Sequence, residues 1–131
     1  YRLSVYLAAS WDRRVFLRTI RDQFRALGVR VTSRWIDANH GYHGADFLVE
    51  ARRDRADIDR ASILILDTTD THTKGGRDWE AGYATGKGKR VVRVGPVITP
   101  FHTDVSLWFE DWDNCLAHFT TYLEHAGARN N

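Results

Sequence analysis

Hydrophobic positions along this chain switch repeatedly between a two-residue and a three-to-four-residue period. Leu3-Ser4-Val5-Tyr6-Leu7-Ala8 alternates and then turns apolar, predicting a first strand. Residues 13–27 then read as a helix capped by Asp12, with Val15, Phe16, Ile20, Phe24 and Leu27 as its inner stripe and Gly28 as its stop. Residues 29–35 suggest a second strand. Residues 37–44, with two glycines and two histidines, suggest a loop, and residues 45–61 a second helix. Ser62-Ile63-Leu64-Ile65-Leu66-Asp67 is nearly all apolar, as expected of a central strand covered on both faces. A polar loop over 68–77, a helix over 78–86 and a strand over 91–94 follow, the strand being stopped by Gly95-Pro96. Pro100 falls in the next loop. A short strand over 107–109 and a helix over 113–125 complete the pattern.

Strands alternating with helices at this spacing predict an α/β fold. The expected architecture is a single-domain, doubly wound (Rossmann/flavodoxin-like) sheet of five mainly parallel strands with helices on both faces. Residues 1–126 are assigned to that domain and residues 127–131 to a frayed tail. Such folds bind ligands beyond the carboxyl ends of their strands.

Composition narrows the setting. At 131 residues the chain is long enough to bury a core as one domain. No apolar run approaches the roughly 18 residues of a membrane span. The apolar start is short and leads into Asp12-Arg13-Arg14, unlike a signal peptide. A single Cys115 excludes an internal disulfide and fits a reducing, cytoplasmic location, and its place on an apolar helix face suggests packing. The net charge of +2, with arginines dispersed among aspartates, argues against a duplex-DNA binder.

Two carboxylates stand out. Phe47, Ala51, Asp54 and Ile58 fall on one helical stripe, so Asp54 interrupts an otherwise apolar face. A carboxylate there needs partners; it is either half of a structural ion pair, with Arg13, Arg14 or another arginine, or part of a site. Glu80 is expected in the first turn of its helix, directly after Gly75 and Gly76. A helix N-terminus favours ionised carboxylates, which suits a nucleophile and also serves helix stability alone. The glycine pair lets a ligand approach the backbone. It is neither a dinucleotide fingerprint nor a P-loop, because the spacing differs and no Lys-Ser/Thr pair follows.

The order of these pieces resembles the nucleoside 2-deoxyribosyltransferase-like superfamily, which includes nucleotide N-glycosidases. The likeness rests on the strand Val5-Tyr6-Leu7-Ala8-Ala9, the acidic helix leading through Ala56-Asp57 into Ile63-Leu64-Ile65-Leu66, and the glycine-rich loop. Its most specific piece is Glu80-Ala81-Gly82-Tyr83-Ala84, followed by a Gly-Lys pair at Gly86-Lys87 or Gly88-Lys89. The resemblance implies that Glu80 is the nucleophile attacking C1′ of a deoxyribose. It implies that Asp54 orients the sugar or handles the proton of the departing base, and that Tyr6 sits beside the nucleophile. Asp67, at a strand end, is a further candidate, or else a loop anchor. The chemistry requires no metal or redox cofactor: one carboxylate stabilises or traps C1′ while another group protonates the base.

The first loop, Ala9-Ser10-Trp11-Asp12-Arg13-Arg14, departs from the glycine-rich opening of many relatives. Ser10, Arg13 and Arg14 are candidates for holding a 5′-phosphate at a helix N-terminus. Trp11, Trp35 and Trp79 are candidates for stacking on a base. His40 and His43 have a spacing that invites a metal reading, but no Cys completes the set. His72 and His102 fall on loops at the expected ligand edge, and His102 is a candidate for reaching the substrate or a neighbouring subunit.

The leading expectation is cleavage of the N-glycosidic bond of a 2′-deoxynucleoside or its 5′-monophosphate, with deoxyribosyl transfer to another base. Alternatives are hydrolysis to free base and deoxyribose (phosphate), cleavage of the nicotinamide bond of NAD, and a non-catalytic nucleotide-binding module. The resemblance also implies a homodimer or higher homo-oligomer, with Phe101, Trp108, Phe109 and Trp112 as a possible contact.

Overall fold

A computed structural model describes residues 3–38 and 46–130. Five strands, β1 (Ser4–Ala8), β2 (Arg30–Val31), β3 (Ile63–Asp67), β4 (Arg90–Val94) and β5 (Leu107–Phe109), form one sheet in the order β2-β1-β3-β4-β5. Every pairing is parallel. Helices α1 (Arg14–Ala26) and α4 (Trp112–Asn130) pack on each other, as do α2 (Phe47–Asp59) and α3 (Gly76–Gly86). This is the expected doubly wound α/β fold. The strand order reverses between β1 and β3, which opens a crevice beyond Ala8 and Asp67.

The central strands are apolar because they are covered on both faces. Val5, Tyr6, Leu7 and Ala8 are fully buried, as are Leu64 and Ile65. Leu17, Ile20 and Phe24 form the inner stripe of α1, and Phe24 meets Phe119 of α4 edge to face. Val15 and Phe16, expected in that stripe, are exposed. The helix proper starts at Arg14, after a 3-10 turn over Trp11–Arg13, so its inward face falls on Leu17 instead.

Other boundaries differ for identifiable reasons. The second strand is only two residues long, because the chain turns into a 3-10 helix over Arg34–Asp37. There the buried Trp35 donates from Nε1 to the Leu7 carbonyl (2.8 Å), fixing the turn against β1. Helix α3 begins at Gly76, earlier than its polar start suggested, because Gly75 adopts φ 92° and serves as its N-cap. Helix α4 continues to Asn130 and so takes in most of the segment expected as a frayed tail. No described helix is long and apolar enough to cross a membrane.

Candidate active site

A cavity of about 990 Å³ lies over the β1/β3 crevice. Trp11 and Asp12 from the loop after β1, Trp35, Phe47, Ala51 and Asp54 from α2, and residues 72–74, 76–77 and 79–80 around the start of α3 line it. This explains the mixed stripe on α2. Ile58 is buried in the core, whereas Phe47 and Ala51 are exposed and face the cavity with Asp54. The carboxylate is therefore part of a cavity wall, not an intruder in a packed face.

Glu80 lies at the same cavity, and its Oε2 accepts a hydrogen bond from the hydroxyl of Tyr6, which β1 holds fully buried. Burial pushes the Glu80 carboxyl up to about 8, and the charge of Asp54 adds to that rise; the Tyr6 hydroxyl and Arg53 oppose it. Burial therefore works against the ionised form that a helix terminus would favour. Because α3 starts at Gly76, Glu80 falls in the second turn, and the only acidic residue in the first turn is Asp78. Desolvation outweighs whatever the helix terminus supplies, since the dipole effect fades within the first turn.

Asp54 is 6 % exposed and accepts from Nη2 of the adjacent Arg53 (3.2 Å). Arg13 and Arg14 make their bonds elsewhere. Arg13 donates through Nε (3.1 Å) and Nη2 (3.0 Å) to Oδ2 of Asp67. Trp112 donates to the same oxygen (2.9 Å) and the Thr69 amide to the other (2.8 Å). Asp67 is completely buried, lies outside the cavity lining and anchors the loops around it. Arg13 is consequently committed as well. Arg14 stacks over the Trp11 ring (4.3 Å) and donates to the carbonyls of Trp11 and Ala38.

The phosphate expectation for Ser10, Arg13 and Arg14 is therefore not met by their placement, since none of the three lines the cavity. Ser10 instead donates to Oδ2 of Asp70 (2.7 Å), while the His72 amide donates to Oδ1 (2.9 Å). Those bonds hold the Asp70 carboxyl below its ordinary range, Ser10 first. They also tie the loop after β1 to the loop after β3. His102 is a second structural pin. Its Nδ1 accepts the amides of Ile98 (3.1 Å) and Thr99 (3.3 Å), which leaves the proton on Nε2 for Asp78 (2.8 Å). It is buried and fastens the β4–β5 connection to the first turn of α3.

Lys74 and Arg77 are candidates that sequence reasoning passed over. Both line the cavity, flanking the Gly75-Gly76 pair, and Gly76 lines it too. Arg77 is 2 % exposed and donates from Nη1 to the carbonyls of Asp70 (2.6 Å) and Asp67 (3.2 Å). Its Nε meets no acceptor, and it forms no ion pair among the described residues. The visible signal was the Lys-Gly-Gly-Arg order itself, two cations framing a side-chain-free turn. His40 and His43 lie outside the described residues. Burial pushes Cys115 up to about 12, in keeping with packing and not nucleophilic chemistry.

The aromatic candidates separate. Trp11, Trp35 and Trp79 all line the cavity; Trp35 is buried, and Trp11 lies 6.4 Å from it, tilted by 35°. Of the proposed contact cluster, Trp112 is core, whereas Phe101 and Trp108 are exposed.

Neither a protein-family model nor a curated protein matches the sequence. Solved structures do match the fold. The chain is similar to a 2-deoxyribosyltransferase from the psychrotolerant bacterium Bacillus psychrosaccharolyticus, with TM-score 0.70 and 24 % identity over 86 % of this chain and 90 % of that one. It is also similar to a Clostridium botulinum CMP N-glycosidase, with TM-score 0.60 and 16 % identity over 91 % and 98 %. A 2-desoxiribosyltransferase from Leishmania mexicana gives TM-score 0.65 and 12 % identity over 91 % and 97 %. The fold is the one that the sequence resemblance implied.

Proposed function

We propose that this protein cleaves the N-glycosidic bond of a 2′-deoxynucleoside 5′-monophosphate or the free nucleoside, transferring the deoxyribosyl group to another base. The observation that carries the reading is the meeting of Asp54 and Glu80 at one cavity, with the Tyr6 hydroxyl fixed on Glu80. Proteins of the same fold, at nearly full length, are a deoxyribosyltransferase and a CMP N-glycosidase.

In this reading Glu80 attacks C1′ once ionised, and the C1′–N bond breaks as the positive charge spreads over the sugar ring. That developing cation lowers the cost of the Glu80 charge, which burial makes high in the empty site. Tyr6 orients the attacking carboxylate. Asp54 handles the proton of the departing base or holds the sugar; proton donation is typically worth ~10²–10⁴ in rate. The second half-reaction reverses these steps with an acceptor base, or with water.

A phosphate is placed at the cationic end of the cavity, where Lys74 and Arg77 flank Gly76 at the N-terminus of α3. Among the described residues Arg77 forms no ion pair, and a ligand anion would offset the cost of burying its guanidinium. This reading moves the phosphate away from Ser10, Arg13 and Arg14, none of which lines the cavity.

The raised Glu80 carboxyl favours one specific rival, in which protonated Glu80 is the acid that protonates the base and Asp54 is the ionised partner. The pH dependence of kcat/KM separates the two. A rise through pH 8 marks the nucleophile, and a fall through pH 8 marks the acid. The reaction itself is tested by incubating the protein with deoxynucleoside monophosphates, with and without a second free base. A new nucleotide signifies transfer, free base with deoxyribose phosphate signifies hydrolysis, and intact substrate in both arms overturns the proposal.

A further inference from the structure

The cavity has an aromatic lip that the reaction just described does not use. Trp79, Tyr83 and Lys87 recur every four residues along α3, so they share one helical face. The Trp79 and Tyr83 rings are stacked, with centroids 5.5 Å apart and planes 5° from parallel. The Lys87 ammonium stands 5.5 Å from the Tyr83 centroid. Tyr83 is fixed in turn, because its hydroxyl donates to Oδ1 of Asp59 on α2 (2.8 Å). The indole is therefore held in one orientation from behind. It nevertheless remains 56 % exposed and lines the cavity. An indole with one face covered and more than half its surface open is a costly thing to leave in water. A second planar ring laid on the open face recovers that cost with little loss of entropy, since the platform is already ordered.

We propose that Trp79 is a specificity-determining residue that stacks against the purine or pyrimidine ring of the bound nucleotide. The inference rests on the nucleotide reading above and adds to it a contact that discriminates the base from the sugar phosphate. Ser10, Trp11, Asp54 and Glu80 are not needed for it. Stacking tolerates any base because every base has a π-face, so Trp79 sets affinity for an aromatic ring more than it selects one ring from another.

The test uses equilibrium binding of two probes, deoxycytidine 5′-monophosphate and deoxyribose 5-phosphate, to Glu80→Gln protein with and without Trp79→Ala or Trp79→Phe. The Glu80→Gln change stops turnover, and circular dichroism verifies that each variant is folded. Trp79→Ala is expected to weaken the nucleotide about tenfold and Trp79→Phe less, while deoxyribose 5-phosphate binds all forms alike. Equal weakening of both probes, or of neither, overturns the proposal. If the unsubstituted protein cleaves nucleotides and Trp79→Ala leaves this ratio unchanged, the stacking idea alone fails. If the protein binds no nucleotide at all, both readings fall together.

Discussion

Asp67 and Glu80 are two acidic residues set in the same crevice, and they have opposite surroundings. Asp67 ends β3 fully buried, and four N–H bonds from Arg13, Trp112 and Thr69 satisfy its two oxygens. Glu80 accepts one hydroxyl, from Tyr6, and otherwise meets desolvation, the charge of Asp54 and an open cavity. A carboxylate whose two oxygens already take four N–H bonds has little left to offer a substrate and serves to hold loops. One that burial makes reluctant to ionise, beside an empty space, stays reactive. Burial alone does not separate structure from chemistry, but the count of donors does.

The largest effect that sharpens this contrast falls on Glu80. Glu80→Gln is expected to cut base release by about 10³-fold or more while the protein stays folded. Asp67→Ala is expected to do the reverse. It leaves the Arg13 charge and the Trp112 N–H without their acceptor, costing about 3 kcal/mol in a denaturant titration. Were Asp67→Ala to leave stability unchanged while abolishing activity, the two roles would have to be exchanged.

A smaller change is expected from Tyr6→Phe. The Tyr6 hydroxyl lowers the Glu80 carboxyl, so its removal moves the apparent ionisation further above 8. A nucleophilic Glu80 then loses about tenfold in kcat/KM at pH 7, with the rising limb of the profile displaced to higher pH. An unmoved limb would detach Tyr6 from the carboxylate.

A further effect falls on stability and not on activity, as a pH dependence. The Glu80 carboxyl is raised on folding from 4.5 to about 8, so the folded protein holds a proton that the unfolded chain releases. The stability tied to that proton is complete below about pH 4.5 and fades as pH climbs through 8. Glu80→Gln removes the dependence. Thermal melts are expected to show the variant gaining on the parent between pH 5 and pH 9, by roughly 4 °C for each kcal/mol recovered. A gap between the two that stays constant with pH would contradict the raised value.

The sequence carried the sheet plainly, because buried parallel strands such as Ile63–Asp67 are apolar runs whatever surrounds them. Through the resemblance it also pointed to Tyr6, Asp54 and Glu80, of which Tyr6 bonds Glu80 and Asp54 lines the same cavity. It did not carry the fate of the arginines. Arg13 is bound to Asp67, and Arg77 is buried under the loop, because residues 54 and 10 positions away in the chain come to meet them. Nor did periodicity separate core from cavity: Phe47, Ala51, Asp54 and Ile58 share one stripe on α2, but only its C-terminal end is under the sheet. Cavity walls and cores are both apolar, so a helical repeat cannot tell them apart. The short β2 had the same origin, in a Trp35 side chain that reaches back to Leu7.

The most direct measurement follows free base released from a deoxynucleoside monophosphate by the parent protein and by Glu80→Gln, after both are shown to bind the nucleotide. The parent is expected to release base steadily, and the variant to bind without releasing it. Equal release by both would remove Glu80 from the chemistry and contradict the account at its centre.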